Sequence, residues 1–191
     1  MLLRLHDHHL REGDLELRPL AEEDWPHLLR WNQDPEVLYF SEGGDVTAHS
    51  LEMVKRIYRG VSQRAFAFLL LLDGVPIGEG WLQQMNLERV LCRYPDSADL
   101  RRIDLMIGEK QHWGRGLGTR TVRLLTRFGF DVECADALFG CEVADYNPRS
   151  RRVFEKNGYE VFQVVEKKPG GKAREVVDLI LTRAACEAGQ R

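Results

Sequence analysis

The stretch Gly-Arg-Gly-Leu-Gly-Thr at residues 114–119 separates two segments of different hydrophobic period. Residues 103–107, Ile-Asp-Leu-Met-Ile, form a short, mostly apolar run that predicts a β-strand. From residue 117 onward, apolar side chains recur every three or four residues, which predicts a helix over residues 116–129. Glycines let the backbone approach a ligand closely, and the free N–H groups of a first helical turn attract anions. The stretch is therefore typical of a phosphate-binding turn.

The glycine spacing alone leaves three interpretations of this turn open. A dinucleotide-binding turn has the pattern Gly-x-Gly-x-x-Gly with an acidic residue about twenty positions later, whereas the glycines here alternate. A nucleotide P-loop requires Gly-Lys-Ser/Thr after a four-residue gap, and the sequence has none. The third interpretation is a glycine-rich turn that binds nothing.

A second motif follows the predicted strand at residues 137–144. It begins at Asn147 and includes Glu155-Lys156, Gly158 and Tyr159. Together the two segments resemble the GCN5-related N-acetyltransferase (GNAT) superfamily. Its pyrophosphate loop reads Gln/Arg-x-x-Gly-x-Gly/Ala, and residues 113–118 match it except at the first position. The Asn, Glu-Lys, Gly and aromatic positions of the second segment match the family's later signature.

The resemblance implies that acetyl-CoA is the co-substrate and that its pyrophosphate lies on the glycine loop. It also implies that backbone N–H groups of the preceding strand hold the thioester oxygen. We expect the cofactor-binding residues to be Leu105, Met106, Ile107, Trp113, Gly114, Arg115, Gly116, Leu117, Gly118, Thr119, Asn147, Arg149 and Arg152. Nothing in the sequence predicts a metal site.

Asp104 is the predicted catalytic residue. A carboxylate between apolar Ile103 and Leu105 is unfavourable unless it is paired or faces a cavity. Members of the family that acetylate the 6′-amine of aminoglycosides carry an Ile-Asp dipeptide at this strand, which implies that Asp104 accepts the ammonium proton or anchors the cation. Strand alternation places Asp104 and Met106 on one face and Leu105 on the other. Pairing of Asp104 with a neighbouring arginine is the structural alternative.

One position departs from the family pattern. The family often has a tyrosine before Glu-Lys that protonates the departing thiolate, and this chain has Phe154 there. The acid role therefore does not transfer to this position. Tyr146, Tyr159 and water remain candidates for it.

The acceptor is open to three hypotheses. An aminoglycoside-like cationic amine, acetylated directly in a ternary complex, is favoured by the Ile-Asp dipeptide and by acidic residues such as Glu79, Asp96 and Asp99. A protein N-terminus is an alternative, because residues 113–116 also resemble the ribosomal-protein acetyltransferases. A non-catalytic CoA-binding module is a third, and the departure at Phe154 supports it.

Composition excludes several other classes of protein. The 191 residues are 43% hydrophobic and 30% charged, which is typical of a globular domain. The formal net charge of −3 argues against a general nucleic-acid binder. No apolar run approaches the roughly 20 residues of a membrane span, so we expect no membrane partner. The four cysteines show no paired spacing, which predicts reduced thiols in a cytoplasmic protein, either a monomer or a homodimer.

The predicted fold is α+β, with a mixed, mostly antiparallel central sheet of about seven strands and helices on both faces. We expect residues 1–14 to be a loose leader and residues 15–185 to form a single acetyltransferase domain. Asp73-Gly74 predicts a hairpin between strands at 66–72 and 75–84. The other predicted elements are a strand at 15–20, helices at 21–33, 48–59 and 148–157, a loop at 86–100, and strands at 159–165 and 176–182.

Overall fold

The computed structural model describes residues 1–42 and 48–189. Its centre is one eight-stranded sheet, in which the strand order is β1-β2-β3-β4-β5-β6-β8-β7. The strands are β1 Leu10–Glu12, β2 Leu15–Pro19, β3 Ala65–Leu72, β4 Val75–Gln84, β5 Leu100–Ile107, β6 Ala137–Ala144, β7 Glu160–Glu166 and β8 Glu175–Thr182. All neighbouring strands are antiparallel except β5 and β6, which are parallel. This confirms the predicted fold class, with one strand more than expected.

Helices cover both faces of the sheet. They are α1 Trp25–Trp31, α2 Pro35–Ser41, α3 Leu51–Ser62, α4 Glu88–Leu91, α5 Leu117–Arg127, α6 Pro148–Glu155 and α7 Arg183–Gly189. Leu125 of α5 and Phe154 of α6 belong to the core on one face. Trp31 of α1 and Val54 of α3 belong to a separate core on the other. No helix in the described part of the chain is long and apolar enough to cross a membrane.

The β3–β4 hairpin forms where the sequence predicts it. Asp73 and Gly74 both have positive φ angles, 48° and 79°, as a two-residue hairpin turn requires. All of β3 except Phe66 is buried, because both faces of this central strand are covered by helices. The register shifts once, between Leu70 and Leu71, and then continues regularly to Ala65 opposite Gln83. This second part of the pairing sets which side chains β4 presents beside β5.

The parallel strands β5 and β6 separate after a short contact. They pair at only three positions, from Leu100 opposite Ala137 to Arg102 opposite Phe139. β5 continues to Ile107, and this part pairs only with β4 on its other side. A cleft therefore opens between β5 and β6 in the centre of the sheet.

Several predicted elements have different bounds. Instead of one helix over 21–33, the chain forms a 3-10 turn at Glu22–Asp24 followed by α1. The Asp34-Pro35 pair ends α1 but also starts α2, because the Asp34 carboxylate accepts the N–H groups of Glu36 and Val37. The predicted loop at 86–100 contains α4, and α7 follows β8 without having been predicted.

The first fourteen residues are not a loose leader in this structure. Residues Leu10–Glu12 pair with β2 as strand β1. Leu3 is buried, and His6 Nε2 lies 3.0 Å from the carbonyl oxygen of Ala67. The His6 ring also packs against Phe68 in the sheet, with ring centroids 4.6 Å apart.

Candidate active site

The glycine loop leads from β5 into α5. Gly114 and Gly116 have φ angles of 77° and 79°, a left-handed conformation that side chains other than glycine adopt rarely. A Cβ atom at either position would meet no other atom within 4 Å, so the loop borders open space. Gly116 is the N-cap of α5. The free N–H groups of the first turn of α5 therefore provide an anion site at this loop.

Trp113 connects the glycine loop to the end of β5. Its indole Nε1 donates to the carbonyl oxygen of Ile107 at 2.7 Å. The Arg149 guanidinium lies over both the Trp113 ring and the Phe40 ring, 4.9 and 4.5 Å from their centroids. Asn147 accepts the Ser150 N–H as the cap of α6 and donates to the Phe40 carbonyl oxygen at 3.2 Å. Trp113 of the glycine-loop motif and Asn147 of the second motif therefore both contact Phe40 of α2.

A cavity of about 1190 Å³ extends from this loop through the cleft between β5 and β6. Twelve of the thirteen predicted cofactor-binding residues line it, together with Asp104: Leu105, Met106, Ile107, Trp113, Gly114, Gly116, Leu117, Gly118, Thr119, Asn147, Arg149 and Arg152. Arg115 is absent from the described lining, and its Nη1 lies 2.8 Å from His112 Nδ1. Lys156, Lys167, Lys168 and Lys172 add positive charge to the lining.

The two faces of β5 differ as the alternation predicts. Leu105 packs against the core beneath α5 and α6, whereas Met106 belongs to the core beneath α1 and α3. The pairing of β5 with β6 ends at Arg102. Backbone groups of residues 103–107 that point away from β4 therefore face the cavity, where they can bind a ligand oxygen.

Asp104 has close partners in addition to lining the cavity. Its carboxylate accepts from Arg102 Nε and Nη2 at 3.0 and 2.6 Å, and from Gln83 Nε2 at 2.9 Å. The arginine pairing considered from sequence is therefore present, with Arg102; Arg101 binds Asp99 and Glu133 instead. A carboxylate fixed by two neighbours is well oriented to anchor a cation.

Glu79 lies on the same face of the sheet and was not among the predicted site residues. It stands opposite Met106 in the β4–β5 register, two positions from the pair Trp81–Asp104. Glu79 is 5% exposed, and its Oε2 has no hydrogen-bond partner within the described residues. Burial and then the negative charges of Asp104 and Glu42 raise the pKa of Glu79 well above its ordinary value, although the Trp81 indole opposes the shift.

Sequence interpretation grouped Glu79 with Asp96 and Asp99 as acidic residues available to a cation. Of the three, Glu79 lines the cavity, while Asp99 is bound to Arg101. The sequence contained one indication that Glu79 lies near Asp104. The alternation of side chains along β4 places Glu79, Trp81 and Gln83 on one face. Only the structure reveals that a helix layer buries this face.

The two tyrosine candidates for the general acid, Tyr146 and Tyr159, lie in different environments. Tyr159 is buried, its hydroxyl lies 2.8 Å from Thr126 Oγ1, and burial raises its pKa. Tyr146 lines the cavity instead, and the Lys172 ammonium lies 3.9 Å from the centroid of its ring. Of the two tyrosines, Tyr146 is therefore the one placed to reach a ligand.

Phe154 is 2% exposed and packs against Tyr159 and the backbone of Gly140. Phe154 also lines the cavity, but only 2% of it is exposed. We expect Phe154→Tyr to lower the free energy of unfolding by about 1–3 kcal/mol, because the added hydroxyl loses most of its hydration there. CoA affinity and kcat should not rise. Denaturant unfolding and steady-state kinetics measure these effects, with Phe128→Tyr as a control at an equally buried site. A higher kcat at unchanged stability would instead identify position 154 as the acid position.

A splayed parallel strand pair beside a glycine loop that opens a helix is the arrangement that the resemblance to coenzyme A-binding acyltransferases implies. Residues 14–160 match the model of the acetyltransferase (GNAT) domain, so the chain belongs to this family. Membership confirms the resemblance seen in sequence and makes the protein an N-acetyltransferase, with acetyl-CoA as its co-substrate.

Solved structures share this fold. The aminoglycoside acetyltransferase AAC(6')-Ib in complex with coenzyme A is 23% identical, with a TM-score of 0.76 over 93% of this chain and 99% of that chain. Its complex with paromomycin and acetyl-CoA is also 23% identical and gives 0.78 over 94% and 99%. A GNAT-family acetyltransferase from Bacillus anthracis is 14% identical and gives 0.73 over 92% and 98%.

Proposed function

We propose that this acetyltransferase transfers the acetyl group of acetyl-CoA directly to a primary amine of a small cationic acceptor, without an acetyl-enzyme intermediate. The observation that carries the proposal is that one continuous cavity joins the glycine loop, the unpaired edge of β5 and the carboxyl groups of Glu79 and Asp104. Both substrates can be held there in one complex, which removes translational freedom from the reaction.

The residues of the cavity fit acetyl-CoA. The N–H groups at the start of α5 suit the pyrophosphate, and Arg149 and Arg152 add charge for phosphate oxygens. Backbone N–H groups of residues 105–107 would stabilise the thioester oxygen as it becomes negatively charged. Acetyl-CoA supplies an activated acyl group whose leaving thiolate has a reference pKa of about 8.5, so protonation can come from Tyr146 or water.

The carboxyl groups of Asp104 and Glu79 have different roles toward the acceptor amine. Asp104, held by Arg102 and Gln83, anchors the cation. Glu79 has an unpartnered oxygen and accepts the ammonium proton, which frees the nitrogen lone pair to attack the thioester carbon. The arriving cation lowers the pKa of Glu79 and so favours its ionised form.

The acceptor class follows from charge at this end of the cavity. Glu79, Asp104 and Glu42 all line it, and so does Arg102, which is paired with Asp104. Three carboxyl groups beside this one arginine favour a cation, preferably one with several amines. The likeness to AAC(6')-Ib, which is solved with aminoglycosides, supports an aminoglycoside-like acceptor. We further propose that the protein acts in the cytoplasm as a monomer or homodimer.

A thioester-cleavage assay with a panel of amines tests the proposal. The panel contains aminoglycosides, simple monoamines and peptides with a free N-terminus, and the wild-type protein should turn over the aminoglycosides fastest. Preference for the peptides would favour the N-terminal alternative. Tight CoA binding without turnover of any amine would favour a non-catalytic module.

Asp104→Asn should lower kcat/KM for a cationic acceptor by about 10²-fold, mainly through a higher KM, because the variant keeps the size of the side chain but loses its charge. CoA affinity measured by calorimetry should stay within about twofold of wild type. Asp99→Asn, at an arginine-paired aspartate outside the cavity lining, is the control. A wild-type KM in the Asp104 variant would contradict the anchoring role.

A further inference from the structure

The cleft between β5 and β6 depends on an irregularity in β6. On its β8 side, β6 pairs at Gly140 with Leu179 and next at Val143 with Val177. Two residues of β6, Cys141 and Glu142, therefore stand opposite the single residue Asp178, which is a β-bulge. The bulge begins two residues after Phe139, the last residue of β6 that pairs with β5.

Glu142 has an unusual backbone conformation at this bulge. Its φ angle is 58°, in the left-handed region that is unfavourable for residues with a Cβ atom. Its N–H donates to Asp178 Oδ1 at 2.8 Å. The Asp178 side chain thus takes the place of the backbone carbonyl that a regular ladder would provide.

Asp178 is itself held firmly. It is fully buried and also accepts from Arg89 Nε and Nη2 at 2.9 and 3.1 Å and from Gln163 Nε2 at 2.8 Å. Burial alone would raise the pKa of Asp178, but these donors outweigh it and lower the pKa, so the side chain is an anion. Arg89 belongs to α4, in the connection between β4 and β5.

The bulge shapes the wall of the acetyl-CoA cavity. Cys141, Glu142 and Val143 line the cavity, whereas Asp178 is not part of the described lining. A regular β6 would place these residues in line for pairing with β5, and the cleft would narrow. This inference rests on the proposed function, because it assumes that the cleft receives acetyl-CoA.

We propose that Asp178 is a positioning residue that keeps the cleft between β5 and β6 open, by holding the Glu142 N–H and so fixing the bulge. It acts on the cleft and not on the glycine loop. Binding of CoA should therefore depend on it, while binding of adenosine 3′,5′-diphosphate, which resembles the nucleotide half of CoA, should not.

Asp178→Asn should raise the Kd of CoA about tenfold, equivalent to about 1.4 kcal/mol, and change the Kd of the diphosphate by less than about twofold. The amide oxygen cannot replace both carboxylate oxygens, and the amide NH2 would face donor groups of Arg89, Gln163 or Glu142, so the side chain can no longer hold the Glu142 N–H as the carboxylate does. Asp24→Asn is the matched control: Asp24 is 2% exposed, is paired twice with Arg18 and accepts the Ala21 N–H. It should lose stability without losing CoA affinity. If Asp178→Asn does not fold, Arg89→Gln should raise the Kd of CoA about threefold.

A rescue experiment isolates the backbone effect. Glycine adopts a positive φ without strain, so Glu142→Gly should restore CoA affinity in the Asp178→Asn background. Glu142→Ala removes the same ion pairs, with Lys167 and Arg89, but keeps the Cβ atom. We expect the glycine double variant to bind CoA at least about threefold more tightly than the alanine double variant.

Three results would overturn the inference. The first is a folded Asp178→Asn protein with the wild-type Kd for CoA. The second is an equal rise in the Kd of CoA and in the Kd of the diphosphate. The third is the same Kd of CoA in the glycine and alanine double variants. Failure of the proposed function gives different results. If the cleft did not receive acetyl-CoA, the wild-type protein itself would not bind CoA, whereas a wrong acceptor would show in the amine panel and leave these comparisons of Kd unchanged.

Discussion

Gly116→Asp should weaken CoA binding by about 10²-fold, or roughly 2.7 kcal/mol. Gly116 has a φ of 79° and borders open space at the N-terminus of α5. An aspartate there places a negative charge at the site where the helix N–H groups attract phosphate, so the new carboxylate competes with the pyrophosphate. Calorimetry with CoA measures the loss.

Gly116→Asn is the matched control for this prediction. Asparagine has nearly the same size as aspartate and also tolerates a left-handed backbone, but it carries no charge. Its loss of affinity should be about tenfold smaller than that of the aspartate variant. A folded Gly116→Asp protein with wild-type CoA affinity would contradict the placement of pyrophosphate on this loop.

Features that depend on adjacent residues could be predicted from the sequence. The Asp73-Gly74 turn, the apolar run of β3 and the glycine loop each carry their cause within a few residues. With them the sequence predicts the fold class and names many of the residues that line the cavity. The start of α2 at Asp34-Pro35 was not predicted, although an aspartate N-cap followed by proline is a good start for a helix.

Features set by tertiary contacts could not be predicted in this way. The cleft between β5 and β6 is tied to Asp178 and Arg89, which are 89 positions apart in sequence and meet only when β8 enters the sheet. The burial of Glu79 also depends on tertiary contacts, so it could not be predicted from neighbouring residues. A glutamate in an alternating strand normally faces solvent, and only the packing of α1 and α3 buries this one.

The burial of Glu79 leads to a prediction about turnover. Glu79→Gln should lower kcat by about 10²-fold or more, within the range for loss of a positioned general base. The amide keeps the size of the side chain but cannot accept the ammonium proton. CoA affinity should remain within about twofold of wild type, because the role proposed for Glu79 concerns the acceptor amine and not CoA. The anchoring variant Asp104→Asn should differ, with its main effect on KM.

The pH profile of kcat/KM provides the decisive comparison, since it reports the pKa values of the free enzyme. A protonated carboxyl cannot act as a base, so activity should fall as the pH falls through the pKa of Glu79. Burial and Asp104 raise that pKa, which places this acidic limb above the ordinary glutamate value of about 4.3. The limb should be absent in Glu79→Gln and unchanged in Asp99→Asn. If it persisted in Glu79→Gln, Glu79 would not be the titrating base, because deleting the titrating carboxyl must remove its own ionisation from the profile.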